Sequence, residues 1–137
     1  MASQVFINLV VEGIDKSMEL YTQMGFGNNP QFSDDNSKCM IWNESIYVMI
    51  MTSEKFKSFT SKPLADTKNS IAGIFSISVD SLERVNEIAD KAIAAGAIEP
   101  TEMKDYGFMQ LRSIEDFDGH TWEFFHMDMS KMPAEEI

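Results

Sequence analysis

Glu123 is the residue best placed to do chemistry, because it stands between Trp122 and Phe124 in a run, His120 to Met127, that alternates like a strand. A carboxylate flanked by aromatics is partly desolvated, which suits it to pair with a cationic ligand or to act as a general base. The plain alternative is a carboxylate bonded to a neighbouring strand or to water. Both readings stand, and Glu123 is the one candidate catalytic residue. Strand alternation turns Thr121, Glu123 and Phe125 one way and Trp122, Phe124 and His126 the other, so His126 is expected to miss the face that Glu123 lines. Asn8, Ser76 and Ser78 fall on the matching faces of their own strands, either as hydrogen-bonding groups for a ligand or as a modest polar lining. Gln110 and Arg112 alternate with Met109 and Leu111, so they leave the apolar face together and join the candidate ligand-binding set. Arg112, one of few basic residues, is expected to pair with Glu123. His120 follows the Asp118-Gly119 turn and is expected at the surface, and Cys39 reads as a half-buried strand thiol. Phe6, Trp42, Tyr47, Tyr106, Phe108 and Phe125, with Met40, Met49 and Met51, form a soft apolar set. Most of these belong in a core, and some suit a flat apolar ligand.

The elements that must carry these residues read as two similar series. Gln4 to Val11 sets Val5, Ile7, Leu9 and Val11 against Phe6, Asn8 and Val10, a strand with two different faces. A helix follows, with Ile14, Met18, Tyr21 and Met24 at helical spacing and Gly25 as its stop. Strand-like runs then cover Asn29 to Phe32, Lys38 to Trp42 and Ser45 to Thr52. From Ala72 the order repeats: a strand GIFSISV, a helix capped by Asp80 or Ser81, and runs at Ala97 to Glu102, Gly107 to Ile114 and His120 to Met127. That helix carries Leu82, Val85, Ile88 or Ala89, and Ala92 or Ile93 on one stripe and ends at Gly96. The fold class is therefore α+β, two βαβββ modules whose sheets curve around a central cleft. Module one spans about 3–52, a polar connector or lid about 53–71, module two about 72–128 and a tail 129–137, all within one domain. Within the connector, SEKFKSF reads as a helical turn or two.

Bulk composition narrows the function classes. A chain of 137 residues with 44% apolar residues buries a sizeable core without disulfides, and its single cysteine leaves no C-x-x-C pair for zinc or redox work. The formal charge of -11 argues against nucleic acid and anionic membranes as partners, and it suits either a cationic ligand or a merely solvated acidic surface. The first residues lack the basic start and long apolar stretch of a secretory signal, and no apolar run is long enough to cross a bilayer, so a cytoplasmic location is expected.

Three segments resemble the vicinal oxygen chelate superfamily, which includes glyoxalases, bleomycin-resistance proteins and extradiol dioxygenases. NLVVEGIDKSMELYTQMGF resembles its opening strand and helix, SISVDSLERVNEIADKAIAAGA the start of its second module, and SIEDFDGHTWEFF its Asp-Pro-Asp-Gly turn and last strand, with Phe117 where Pro is usual. The likeness spans about residues 4 to 128 and is similar in flavour to uncharacterised glyoxalase-like members. It implies the glyoxalase/bleomycin-resistance/dioxygenase fold, a small-molecule ligand and a homodimer. Enzymes of the superfamily hold a divalent metal through two His and two Glu on four strands. Carried onto this chain, those positions fall on Phe6, on Ile74, on Val48 or Met49, and on Glu123, of which Glu123 alone is a ligand type. Phe6, Val48 and Ile74 accordingly become ligand-binding rather than metal-binding candidates, and no metal or other cofactor is expected. The expectation is a metal-free binding protein of bleomycin-resistance type; the alternative is a metal-dependent glyoxalase-type lyase or isomerase, or a dioxygenase relative.

Overall fold

A computed structural model describes residues 2–132 of the chain, so most of the expected tail, 133–137, lies outside the described residues. The backbone divides into two compact units, Met1–Ser70 and Ile71–Ile137.

The first unit runs β1 (Val5–Val10), α1 (Ile14–Gln23), β2 (Gly27–Asn29), β3 (Ser37–Ile41), β4 (Ile46–Met51) and the short helix α2 (Ser53–Lys57). The second runs β5 (Ile74–Ser78), α3 (Leu82–Ala94), β6 (Lys104–Asp105), β7 (Met109–Glu115) and β8 (Thr121–Met127). The sheets are ordered β1-β4-β3-β2 and β5-β8-β7-β6. In each, the first strand lies parallel to the last and the remaining pairs are antiparallel. Two βαβββ modules in an α+β chain are therefore present, as expected.

Both long helices end in the same way. Gly25 and Gly96 take φ of 114° and 108°, a region open to residues without a Cβ. Phe26 N–H donates to the Tyr21 carbonyl and Gly25 N–H to that of Thr22, while Ala97 donates to Ala92 and Gly96 to Ile93. Each is a Schellman closure, and each turns the chain back along its sheet. The face that α1 buries is Ser17, Leu20, Tyr21 and Met24; Tyr21 and Met24 of the expected stripe lie on it, while Ile14 and Met18 are only half-buried. After the closure the Phe26 ring stands 5.4 Å from that of Tyr21, on the buried side of the helix. On α3 the buried set is Val85, Ile88, Ala89 and Ala92, and Ser81 is the cap, its Oγ accepting from Arg84 N–H at 3.1 Å.

Two expected strands are displaced. Asn29 to Phe32 is a strand end followed by one 3-10 turn, because Pro30 has no N–H for a ladder and Asn29 Oδ1 instead accepts from Gln31 N–H at 3.0 Å. Ala97 to Glu102 makes a single bridge, Ile98 with Glu115, and the strand that pairs with β7 is Lys104–Asp105. Pro100 interrupts the ladder there in the same manner. The connector holds α2, so its helical turn is real; Thr52 Oγ1 caps it by accepting from Lys55 N–H.

Candidate functional site

Each sheet has a face covered by its long helix and a face without one. In the second unit the covered face is fixed by Arg112, whose Nη1 donates to Asn86 and Asp90 on α3 at 3.1 and 2.9 Å. Trp122, Phe124 and Ile114 lie fully buried on that side. The opposite face is read from the register: Ser76 pairs with Glu123, and Glu123 with Ser113, so the three side chains form one row across β5, β8 and β7. The row below is Ser78, Phe125 and Leu111, and the row above is Ile74, Thr121 and Glu115. Ser76 Oγ donates to Glu123 Oε1 at 3.0 Å. Glu123 thus has one oxygen engaged by a neutral donor, and among the described residues it forms no salt bridge.

In the first unit Leu9, Val48, Ile50 and Met40 are buried on the covered side. Phe6, Asn8, Tyr47 and Met49 share the other face, with Phe6 beside Tyr47 and Asn8 beside Met49. The Phe6 and Tyr47 rings stack with centroids 4.5 Å apart and planes 8° from parallel, and Phe6 is 49% exposed. Gln4 Nε2 donates to the Tyr47 hydroxyl at 3.2 Å, and that hydroxyl donates to the Glu44 carbonyl at the same distance. The ring is therefore held in place from its polar end while the Phe6 face stays open.

The sequence-derived set is thus divided. Phe6 and Asn8 share one helix-free face, and Ile74, Ser76 and Glu123 share the other. Val48 does not belong: its register partner is Ile7 and it is fully buried, so Met49 is the strand-β4 residue on the open face. Arg112 does not pair with Glu123. It sits one residue off in register, opposite Phe124, and its Nε and Nη2 grip Glu99 at 2.8 and 3.0 Å. That bidentate grip raises the already high pKa of the guanidinium further, so Arg112 is a fixed cation on the covered side. Gln110 lies on Arg112's face of β7 and donates to Asp105 Oδ1 and the Gly107 carbonyl, closing a hairpin rather than lining a site.

Other expectations changed too. His120 is only 9% exposed, not a surface residue. Its backbone N–H donates to Asp116 Oδ1, which also accepts from Asp118 N–H, so a buried carboxylate organises the whole turn and draws His120 inward. Cys39 is fully rather than half buried, and burial pushes its thiol pKa up, away from reactivity. His126 keeps to the covered side as expected, its Nδ1 lying 3.3 Å from the Val79 carbonyl. Ser113 was missed, although counting back from the Asp116–Gly119 turn would have set it opposite Glu123.

The chemistry of the donor set can be tested against a divalent metal. Phe6 and Ile74 carry no lone pair, Met49 offers only a thioether, and hard dications are held by convergent oxygens and imidazoles. Among the described residues no three His, Cys, Asp or Glu side chains converge as such a group. The residues present do not fit a divalent metal at these positions. Nor is any helix long and apolar enough to cross a membrane among them.

No family model matches the sequence, and no curated protein does. Solved structures do match in fold. A hypothetical protein of S. aureus aligns with a TM-score of 0.75 and 21% identity over 92% of this chain and 94% of its own. A glyoxalase/bleomycin resistance protein/dioxygenase family enzyme of Burkholderia phytofirmans aligns at 0.74 and 16%, covering 92% and 99%. A fosfomycin resistance protein of Mesorhizobium loti aligns at 0.68 and 11%, covering 95% and 96%. With two βαβββ modules of identical strand order and these neighbours along nearly the full chain, the fold is the glyoxalase/bleomycin-resistance/dioxygenase fold.

Proposed function

We propose that this chain is a small-molecule-binding protein that works without a metal, taking its ligand on the helix-free faces of its sheets. The observation that carries the reading is the Phe6–Tyr47 stack, an open aromatic surface at a position where the fold's enzymes place a metal ligand. An exposed Phe gains about 25 cal/mol for each Å² that a ligand covers, and a flat aromatic partner adds stacking. On the first sheet Asn8, beside it, supplies a polar group that orients a ligand in a mostly apolar site; on the second sheet the corresponding polar groups are Ser76 and Glu123. A resistance protein among the fold neighbours is compatible with a sequestering role. A cytoplasmic homodimer is part of the same proposal.

The test combines elemental analysis of protein purified without chelator with calorimetric titration of planar aromatic compounds. Substoichiometric metal together with saturable binding supports the reading. One divalent ion retained per chain through dialysis overturns it and favours the second reading, a metal-dependent lyase or isomerase of glyoxalase type, which Glu123 alone supports. In that case Glu123→Gln abolishes both metal retention and turnover. Native mass spectrometry of the same sample reports whether two chains associate.

A further inference from the structure

Resting on that reading of the open faces, we infer that the ligand carries a protonated primary amine, received by the row Ser76–Glu123–Ser113. The row has one anionic acceptor between two hydroxyls, one of which donates to Glu123 Oε1 and leaves Oε2 for an incoming group. Glu115, in the next row of the same face, adds a second negative charge. The base that shares this face, Lys104, pairs across from Leu111 on the edge strand β6, one row away and beyond β7. No ion pair among the described residues neutralises Glu123. An anionic ligand would meet repulsion here, in a chain whose formal charge is already -11.

The shape of the row decides between cations. A guanidinium donates through a planar fork and needs both carboxylate oxygens, as Arg112 takes both from Glu99 on the covered side. At Glu123 Oε1 already accepts from Ser76, so a fork would have to share that oxygen with the serine. An ammonium has three donors that diverge from one point, and Glu123 Oε2 with the exposed Ser76 oxygen gives it acceptors at the open end of the row, the Ser113 hydroxyl standing at the buried end, 6% exposed. The rows on either side supply the exposed Ile74 and the half-buried Phe125, an apolar bed for the rest of the molecule.

The experiment is calorimetric titration of the full chain with two probes of one skeleton, 1-naphthylmethylamine and 1-naphthylmethanol, at neutral pH and low salt. The amine should bind about tenfold more tightly than the alcohol, about 1.4 kcal/mol. Glu123→Gln should bring the amine-to-alcohol affinity ratio to about one. Ser76→Ala should cost the amine about threefold, because it loosens the carboxylate. Added salt should narrow the gap in the wild-type protein. If Glu123→Gln does not fold, by its circular dichroism melt, Ser76→Ala and the salt series decide alone. Equal affinity for both probes, or a gap that survives these changes, overturns the amine inference and leaves small-molecule binding standing. Binding of neither probe overturns the binding reading and the inference with it.

Discussion

Phe117 Cε1 lies 3.0 Å from the point a Cβ on Gly96 would occupy, so the turn before β8 is packed against the glycine that ends α3. Gly96 has φ of 108°, where any side chain is strained, and the aromatic ring leaves no room for one. Phe117 fills this slot. Gly96→Ala should therefore lower stability by about 2–3 kcal/mol, read as a shift of the urea midpoint at unchanged slope. The Gly96→Ala, Phe117→Ala pair should be less than additive, since removing the ring relieves the contact but not the backbone strain.

Arg112 holds the second unit together on its covered side. Its side chain is 12% exposed, against 23% for Glu99 and 69% for Asp90, so the Glu99 grip carries most of its weight and the Asp90 contact little. Arg112→Met should cost about 2 kcal/mol in urea unfolding, less than a fully buried pair, because Glu99 can rehydrate. Arg112→Lys should recover only part of this, as one ammonium cannot engage both Glu99 oxygens. A loss of ligand affinity in Arg112→Met without loss of stability would return Arg112 to the binding face.

Two exposed carboxylates fix turns by accepting backbone donors. Asp34 Oδ1 accepts from Asn36 and Ser37 N–H at 2.8 and 3.0 Å, and Asp105 Oδ1 from Gly107 N–H at 2.8 Å. These bonds favour the ionised form and hold both groups below the ordinary value of 3.8. A carboxylate whose pKa is depressed on folding contributes stability above its unfolded value and loses it as pH falls through the folded one. Asp34→Ala and Asp105→Ala should therefore be destabilised at neutral pH, and the gap to wild type should close progressively below about pH 4. Urea midpoints measured across that range check the sign; a gap that widens in acid would contradict it.

The order of elements was legible because it rests on local signals: alternation in β1 and β5, the stripe of α3, and glycine at both helix ends. What the sequence hid depended on partners far along the chain. Pro30 and Pro100 displaced two strands, and the true partner of β7 became the short Lys104–Asp105 run. The side of β7 to which Arg112 belongs was set by Asn86, Asp90 and Glu99, none of which announces itself by spacing. Alternation correctly separated Glu123 from His126, while placing Ser113 opposite Glu123 needed the hairpin register that the Asp116–Gly119 turn sets. Burial of His120 followed from Asp116, whose carboxylate gathers two backbone donors of its own turn.

The stack on the first sheet gives a test that separates binding from folding. Phe6 is about half exposed, so truncating it removes little buried surface and should change stability by less than about 1 kcal/mol. Its loss removes the open ring face beside Tyr47, and affinity for a planar aromatic probe should fall about fivefold to tenfold. Phe6→Leu keeps the apolar area but not the ring, and should retain only the smaller, non-stacking part of that affinity. Tyr47→Phe removes the hydroxyl that Gln4 and Glu44 hold, so the ring gains freedom and affinity should drop modestly while Phe6 remains in place. Titration calorimetry beside thermal melting reads both quantities on the same samples. Should Phe6→Ala melt far below wild type instead, Phe6 belongs to the protein's core energetics and the aromatic surface is not a binding platform.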